Sequence, residues 1–416
     1  MDVVTAFLNP AIDSDNVYMS MPPGIEWLDS CLQKTSIVRL LKALYGLKQA
    51  PRLWYQNINS FLLSIGFTQS IANPNLYLRK GVLLLLYVDD ILIVQTSNDR
   101  NGEEVKDQLR HRYKMTDLGK ATRFLELEIG WNHDRSITLG QKAYINSIIK
   151  RFNLEKATLS SIPIDLNINL DNKRCEDKAI DKHTYLSMIG SLMYAALGTR
   201  LDIAYAVTVL SRYNQEPLAM HFTAAQKVIR YLKGTLNSTI IYKSANETTN
   251  YLPKIFTDSD WAGRTATRKS VGGCAIMGPG NSGAIHWTSK NQSVVALSTL
   301  EAEFIACSDA TREALWFRQL IMDIFGLNEI SPIPISCDNQ GAIKLIETGV
   351  IKQKTKHICV KFHHSHDEQE KGIVRFSYIS SAENPADILT KALPLPKLQI
   401  LKGLIGLGNE HVLSCI

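Results

Sequence analysis

Val82-Leu83-Leu84-Leu85-Leu86-Tyr87-Val88-Asp89-Asp90-Ile91-Leu92-Ile93-Val94 is the stretch on which the reading of this chain turns. Two short apolar runs flank a pair of aspartates, a pattern that predicts two buried strands joined by a tight turn. A bilayer span takes about 20 apolar residues, so this run is too short and too charged to be one. Adjacent carboxylates at a turn do little for the strands. They suit Mg²⁺, which takes one or two carboxylates alongside substrate phosphates. Taken alone, the residues also fit a plain hairpin with Asp-Asp at its tip.

Working outward, Met1-Asp2-Val3-Val4-Thr5-Ala6-Phe7-Leu8 offers a further aspartate on a short β-prone run. Between the two lies Ala43-Leu44-Tyr45-Gly46-Leu47-Lys48-Gln49-Ala50-Pro51-Arg52-Leu53-Trp54-Tyr55. These three strings, in this order, resemble the polymerase segments of copia-type retrotransposons. The resemblance implies a reverse-transcriptase palm in which Asp2, Asp89 and Asp90 hold two divalent ions, with Phe7 as the steric gate against a ribose 2′-hydroxyl. It also implies that Tyr45, Gly46, Lys48 and Arg52 meet the incoming nucleotide or template. Gly46 would let backbone come close, and the two basic residues would contact phosphate, unless they are a solvated basic face. Asp117-Leu118-Gly119 and Phe124-Leu125 resemble the approach to the primer grip, where Glu126 stands in place of the family's usual glycine. Everything the family places before its first aspartate, the fingers included, is absent from this sequence. Polymerisation is therefore expected to be impaired, because catalysis by positioning needs the whole cradle.

Beyond Asn98 the texture turns helical, with Val105, Leu109 and Tyr113 on one face behind Glu103 and Glu104. Residues 156 to about 245 read as mostly helical, punctuated by Pro163 and Pro217. From about 250, strand and helix alternate: Ile255–Thr257, Ile333–Cys337 and Val374–Ile379 read as strands and Leu300 to Phe325 as a long helix, an α/β signature. The polar stretch Ser244–Asn250 reads as a linker.

Carboxylates recur in this last region at strand ends and helix starts: Asp258 with Asp260, Glu301 with Glu303, Asp338, and Asp387 at the start of a final helix. Each has a bland explanation, since acids favour helix starts and strand-end turns. Four in Asp…Glu…Asp…Asp order could instead converge on two Mg²⁺ ions and hydrolyse a phosphodiester with an activated water. The strings Asp258-Ser259-Asp260-Trp261-Ala262-Gly263, Ser298-Thr299-Leu300-Glu301-Ala302-Glu303, Asp338-Asn339-Gln340 and Asn384-Pro385-Ala386-Asp387-Ile388-Leu389-Thr390-Lys391 look like the ribonuclease H domain of the same elements. The likeness continues through His286-Trp287-Thr288-Ser289-Lys290-Asn291-Gln292 and Lys356-His357-Ile358. The implied catalytic, metal-holding set is Asp258, Glu303, Asp338 and Asp387. Glu303 is preferred to Glu301, which reads as a solvated first-turn residue. Asp260 is the neighbouring alternative at the first site. His363, His364, His366 and Asp367 match no closed zinc pattern and read as a solvated helix end. Tryptophans read as core rather than stacking platforms, Trp54 least firmly.

Bulk properties agree without deciding. At 416 residues, 45% hydrophobic and 21% charged, the chain affords two to three globular domains. A net charge of +6 suits a polyanionic partner without demanding one. Seven scattered cysteines with no C-x-x-C pair argue against a disulfide framework and for a reducing compartment. No secretory leader opens the sequence. The expected organisation is an α/β chain, with an α+β palm lacking fingers over 1–155, a helical thumb and connection over 156–249, and a ribonuclease H-like domain over 250–396 with a mixed five-stranded sheet. A tail over 397–416 completes it. The expected activities are RNA-directed DNA polymerisation and cleavage of RNA in RNA–DNA hybrids, with two Mg²⁺ or Mn²⁺ ions per site. Expected partners are RNA template, DNA primer, the hybrid, dNTPs and other element-encoded proteins, without membrane. The expected location is the cytoplasm, in virus-like particles for an active element, or the nucleus. The rival expectations are a catalytically dead nucleic-acid-binding remnant of a decayed element and a cellular ribonuclease-like nuclease with a helical partner domain.

Overall fold

A computed structural model describes residues 1–12, 17–22, 37–95, 100–166, 168–171, 180–243, 251–261, 268–280, 282–349 and 359–408. The Ser244–Asn250 linker and the Lys356-His357-Ile358 string lie outside them. The chain divides into two compact units, Met1–Ala121 with Gln319–Glu329, and Thr122–Arg318 with Ile330–Ile416.

The first unit is a six-stranded antiparallel sheet backed by helices. It comprises β1 (Asp2–Val3), α1 (Ala50–Ser64), β2 (Thr68–Gln69), β3 (Leu76–Arg79), β4 (Val82–Tyr87), β5 (Asp90–Gln95), α2 (Asn101–Arg112) and β6 (Met115–Thr116). The spatial order is β2-β3-β4-β5-β1-β6. The apolar runs around Asp89-Asp90 are the hairpin β4–β5, paired from Val82↔Gln95 to Tyr87↔Asp90. Alternation decides the packing: Val82, Leu84 and Leu86 are buried while Leu83 and Leu85 are half-buried. That buried face meets Trp54, Ile58 and Leu62 of α1 and Val105 and Leu109 of α2.

The second unit holds two five-stranded sheets. Its elements are β7 (Arg123–Phe124), β8 (Leu127–Trp131), β9 (Ile137–Gly140), α3 (Lys142–Arg151), α4 (Lys182–Gly198), α5 (Ala204–Leu210), α6 (Ala219–Gly234), β10 (Thr239–Tyr242), β11 (Lys254–Asp260), β12 (Val271–Met277), β13 (Ala284–Asn291), α7 (Thr299–Phe325, of which the part up to Arg318 belongs to this unit), β14 (Ile333–Cys337), α8 (Gln340–Thr348), α9 (Cys359–Glu370), β15 (Val374–Tyr378), α10 (Leu395–Leu404) and β16 (Leu407–Gly408). One sheet runs β16-β10-β9-β8-β7 and the other β13-β12-β11-β14-β15. In the latter, β11 is antiparallel to β12 and parallel to β14, which is parallel to β15. This is the mixed five-stranded sheet read from the sequence.

The sheet ending in β16 was not legible in the sequence. Thr239 pairs with Gly408 across 169 residues, and the stretch 397–408 is built into the core, with Leu398, Leu401 and Leu407 buried. One hydrophobic core joins helices α3–α6 to the sheet around β11: Trp287 Nε1 donates to Ala196 O at 2.7 Å and Thr208 Oγ1 to Ser289 O at 2.8 Å. Residues 122–155 group with this unit.

Glu126 departs from the family's glycine at a costly place. Phe124 pairs with Leu127, so Leu125 and Glu126 are the two turn residues of hairpin β7–β8, at φ 48° and 61°. A two-residue turn with positive φ at both positions favours glycine, and a side chain held left-handed costs about 1–2 kcal/mol. The Arg123–Glu126 ion pair it gains is more than half exposed at both ends and worth little. Glu126→Gly is therefore expected to stabilise the chain by about 0.5–1 kcal/mol, read as a higher urea midpoint at unchanged slope. An unchanged or lower midpoint would show that the turn carries no strain.

Candidate active sites

Two carboxylate constellations exist, one in each unit. In the first, β1 lies beside the hairpin so that Asp2 and Asp90 are paired in register, Val3 N donates to Asp89 O at 2.9 Å and Ile91 N to Met1 O at 2.8 Å. The three aspartates are thus neighbours. Burial, then the Asp89 and Asp2 charges, hold the Asp90 carboxyl above its ordinary range. The turn itself is strained: Val88, β-branched, sits at φ 56°. Trp54 Nε1 donates to Val88 O at 2.6 Å, pinning the turn to α1. Trp54 is 2% exposed, a core residue with a polar handle on this site.

Around it, Thr5 at φ 55° precedes a 3₁₀ turn over Ala6–Leu8 that carries Phe7. The Phe7 ring lies 5.0 Å from that of Tyr45, which is half exposed. Gly46, at φ 95°, has nothing within 4 Å of where a Cβ would stand, so its backbone is open to approach. Lys48 and Arg52 are exposed near the start of α1.

The second constellation is tighter. Thr257 and Cys337 are partners across parallel strands, so Asp258 and Asp338 follow side by side at the same end of β11 and β14. The turn bearing Asp387 reaches them because Asn384 donates to Thr257 O at 3.0 Å and accepts from Ala386 N at 3.1 Å. It also lies flat on Gly273, where a Cβ would stand 2.7 Å from Thr390 Cγ2 and 2.9 Å from Leu389 Cβ. Asp387 belongs to a 3₁₀ turn, Pro385–Leu389, and not to the start of a final α-helix; the helix proper is α10.

Oxygens of Asp258, Asp338 and Asp387 lie within 4.8 Å of one another, as do ligand atoms of Glu303, Cys337 and Asp338. Oxygens across a Mg²⁺ ion stand about 4 Å apart at metal–oxygen distances of about 2.0–2.1 Å. The donor set fits a hard divalent cation with small side-chain adjustments. Asp2, Asp89 and Asp90 are not drawn into so tight a group among the described residues.

Burial and mutual repulsion govern this site. Burial pushes Asp258 up to about 6 against the pull of Lys391. Glu303 is raised further, by burial and then by Asp258 and the neighbouring Cys337 and Asp338. Buried carboxyls crowded this way resist ionisation, and strongly shifted groups lining a cleft are the mark of a functional-site candidate. A cleft of about 400 Å³ opens over them, walled by Asp260, Trp261, Thr299 and Asn339.

Several details depart from the sequence reading. Glu301 is not solvated: it is 3% exposed, its Oε2 accepts from Leu297 N at 2.8 Å, and its own N–H donates to Ser298 Oγ at 3.2 Å. Ser298 thus caps the helix at Glu301 N, and the Glu301 carboxylate takes the N–H of the residue before the cap, a helix-start pattern signalled by Ser298-x-x-Glu301. Cys337 went unnoticed, its sulfur 3.9 Å from Glu303 Oε2. So did Ser381, which donates to Asp338 Oδ2 at 2.6 Å, and Thr390, which donates to Asp258 Oδ2. Lys391 and Lys397 both reach Asp387. Among the described residues the His363–Asp367 cluster joins no metal group; His366 Nδ1 lies 2.7 Å from Ile346 O.

Residues 1–166 match the reverse transcriptase (RNA-dependent DNA polymerase) family. The chain is 36% identical over 99% of its length to the retrovirus-related Pol polyprotein from transposon TNT 1-94 of Nicotiana tabacum, covering 31% of that protein. It is 31% identical over 75% of its length to the whole of a putative transposon Ty5-1 protein of Saccharomyces cerevisiae. The chain belongs to the copia-type retrotransposon Pol family. It spans about a third of the first of these Pol relatives. A foamy viral protease–reverse transcriptase, solved in complex with RNA/DNA hybrid, shares the fold at TM-score 0.52 and 14% identity, over 91% of this Pol chain and 43% of the viral one. Reverse transcriptase and ribonuclease H folds generally use divalent ions, and this Pol chain's acidic cluster is of the kind they use.

Proposed function

We propose that this Pol chain cleaves RNA in RNA–DNA hybrids through Asp258, Glu303, Asp338 and Asp387, and that its first unit is the palm of an RNA-directed DNA polymerase. The observation that carries the nuclease reading is the convergence of Asp258, Asp338 and Asp387 oxygens within 4.8 Å from three separate elements. Divalent ions held there, two Mg²⁺ or Mn²⁺ in the fullest form, supply an activated water and charge stabilisation at the scissile phosphate. The chain's own side chains do the rest. Asp258 is held by Thr390 and Asp338 by Ser381, so these two ligands are preorganised. The open cleft gives a backbone phosphate room to enter. Recognition would go through backbone and 2′-hydroxyl contacts, not base sequence, in keeping with the hybrid bound by the foamy viral enzyme.

In the palm, Asp2, Asp89 and Asp90 would hold the ions. The Phe7–Tyr45 pair would stand beside the sugar of a dNTP, with Gly46, Lys48 and Arg52 toward the nucleotide or template. The reading as a non-catalytic remnant is not favoured. The test is a labelled RNA–DNA hybrid with Mg²⁺, offered to the parent and to Asp338→Asn. Cleavage by the parent alone is expected. Equal cleavage by both proteins, or by neither, would contradict the assignment. Primer extension on the same preparation tests the palm separately.

A further inference from the structure

The carboxylate cluster already carries cations of its own, and they come from two different elements. Lys391, four residues after Asp387, places its ammonium 2.9 Å from Asp387 Oδ1 and 3.4 Å from Asp258 Oδ2. Lys397, in the first turn of α10, reaches the other oxygen, Asp387 Oδ2, and also lies 3.4 Å from Ser381 O. Both Asp387 oxygens, on a side chain with no solvent exposure, therefore face a lysine. Asp387 Oδ1 is buried, and the Lys391 ammonium at 2.9 Å is the cation that faces it.

Asp258 and Asp387 each bring an oxygen to the cluster that would hold a divalent ion. An ammonium and a divalent ion on one carboxylate would stand within about 4 Å of each other, and like charges at that range inside a protein repel strongly. The two cannot share the site as drawn. The lysines can leave: their side chains are 34% and 33% exposed, on flexible four-carbon stems that can carry the charge out to water.

We propose that Lys391 and Lys397 are the internal counter-cations of the carboxylate cluster, occupying Asp258 and Asp387 until a divalent ion displaces them. The inference rests on the metal-site reading above and adds a competition built into the chain. Removing a lysine should tighten metal binding while weakening the fold in its absence. A lysine that merely tethers α10 to the turn would weaken the fold under both conditions and leave metal affinity unchanged or poorer.

The experiment uses the full chain as parent, Lys397→Met, Lys391→Met, the charge-preserving Lys397→Arg, and Asp258→Asn. Calorimetric Mn²⁺ titration gives affinity, and thermal unfolding in EDTA and in saturating Mn²⁺ gives stability. Each Met variant should bind Mn²⁺ about tenfold more tightly, melt below the parent in EDTA, and recover in Mn²⁺. Lys397→Arg should stay near the parent, and Asp258→Asn should lose the binding. Parent-like or weaker Mn²⁺ affinity in both Met variants would overturn the proposal while the metal site stands. No Mn²⁺ uptake by the parent or either Met variant would overturn the metal site and the proposal together. A Met variant that fails to fold in EDTA but folds in Mn²⁺ supports the proposal; one that folds in neither leaves the other lysine variant to decide it.

Discussion

Asp202→Asn is expected to cost about 3–5 kcal/mol of stability, because it strands a fully buried guanidinium. Arg200 and Asp202 have no side-chain exposure, and they meet bidentately, Nε to Oδ1 at 3.0 Å and a terminal nitrogen to Oδ2 at 2.8 Å. Tyr231 donates to Oδ2 at 2.6 Å, Lys402 of α10 lies 3.7 Å away, and Arg200 also donates to Thr235 O at 3.1 Å. Burial alone would raise the Asp202 carboxyl; the Arg200 and Lys402 charges outweigh it and pull it down to about 2. A carboxyl depressed in the folded state contributes stability that is present above its unfolded value of about 4. That stability is lost as pH falls through about 2. The parent should therefore lose about 2 kcal/mol between pH 4 and pH 2 from this residue, and Asp202→Asn should not. Replacing both partners, as Arg200→Met with Asp202→Leu, should recover most of the loss, since the buried guanidinium goes with its carboxylate and only Lys402, on a flexible and partly exposed stem, loses a counter-charge. Urea unfolding of the three proteins checks this. A double variant no better than Asp202→Asn would show that shape, not the stranded charge, dominates.

Asp258→Asn should reduce hybrid cleavage at least about a hundredfold. Residues behind a metal's ligands already matter by about 10–100-fold, and this one would be a ligand itself. Its effect on stability should run the other way. The folded protein holds the Asp258 carboxyl up at about 6, by burial first, so its contribution is complete below about pH 4 and is lost as pH rises through about 6. In EDTA, the parent should lose stability between pH 4 and pH 7 and Asp258→Asn should lose less. Divalent ions should offset the parent's loss and not the variant's. Thermal unfolding across that range, with cleavage measured beside it, separates the two effects: inactive and as stable, or more so, at neutral pH in EDTA. A variant that is inactive because it has unfolded would contradict this account.

The parts of the molecule that were legible in the sequence are those whose signal is local. An apolar run broken by Asp89-Asp90 announces its own hairpin, and acids at the ends of β11 and β14 announce a shared edge once those strands are parallel neighbours. Pairing between Thr239 and Gly408 leaves no local trace, so the second five-stranded sheet and the burial of α10 stayed hidden. Nothing local in Arg200-Leu201-Asp202 shows that α6 and α10 supply Tyr231 and Lys402 to this buried pair. Glu301 and Glu303 differ by two positions on one helix. The chain leading into the helix takes the first, through Leu297 N, and the strand-end cluster meets the second, a distinction that depends on helix phase. The contacts of Lys391 and Lys397 with Asp387 have no sequence signal, because composition does not show where a flexible ammonium comes to rest.

Crystals of the chain soaked in Mn²⁺, measured where manganese scatters anomalously, test the metal centre most directly. The expected result is anomalous density within coordinating distance of Asp258, Asp338 and Asp387, with Lys391 and Lys397 turned away. Density confined to other acidic residues, or none at saturating Mn²⁺, would contradict the assignment of this cluster as the metal-holding site.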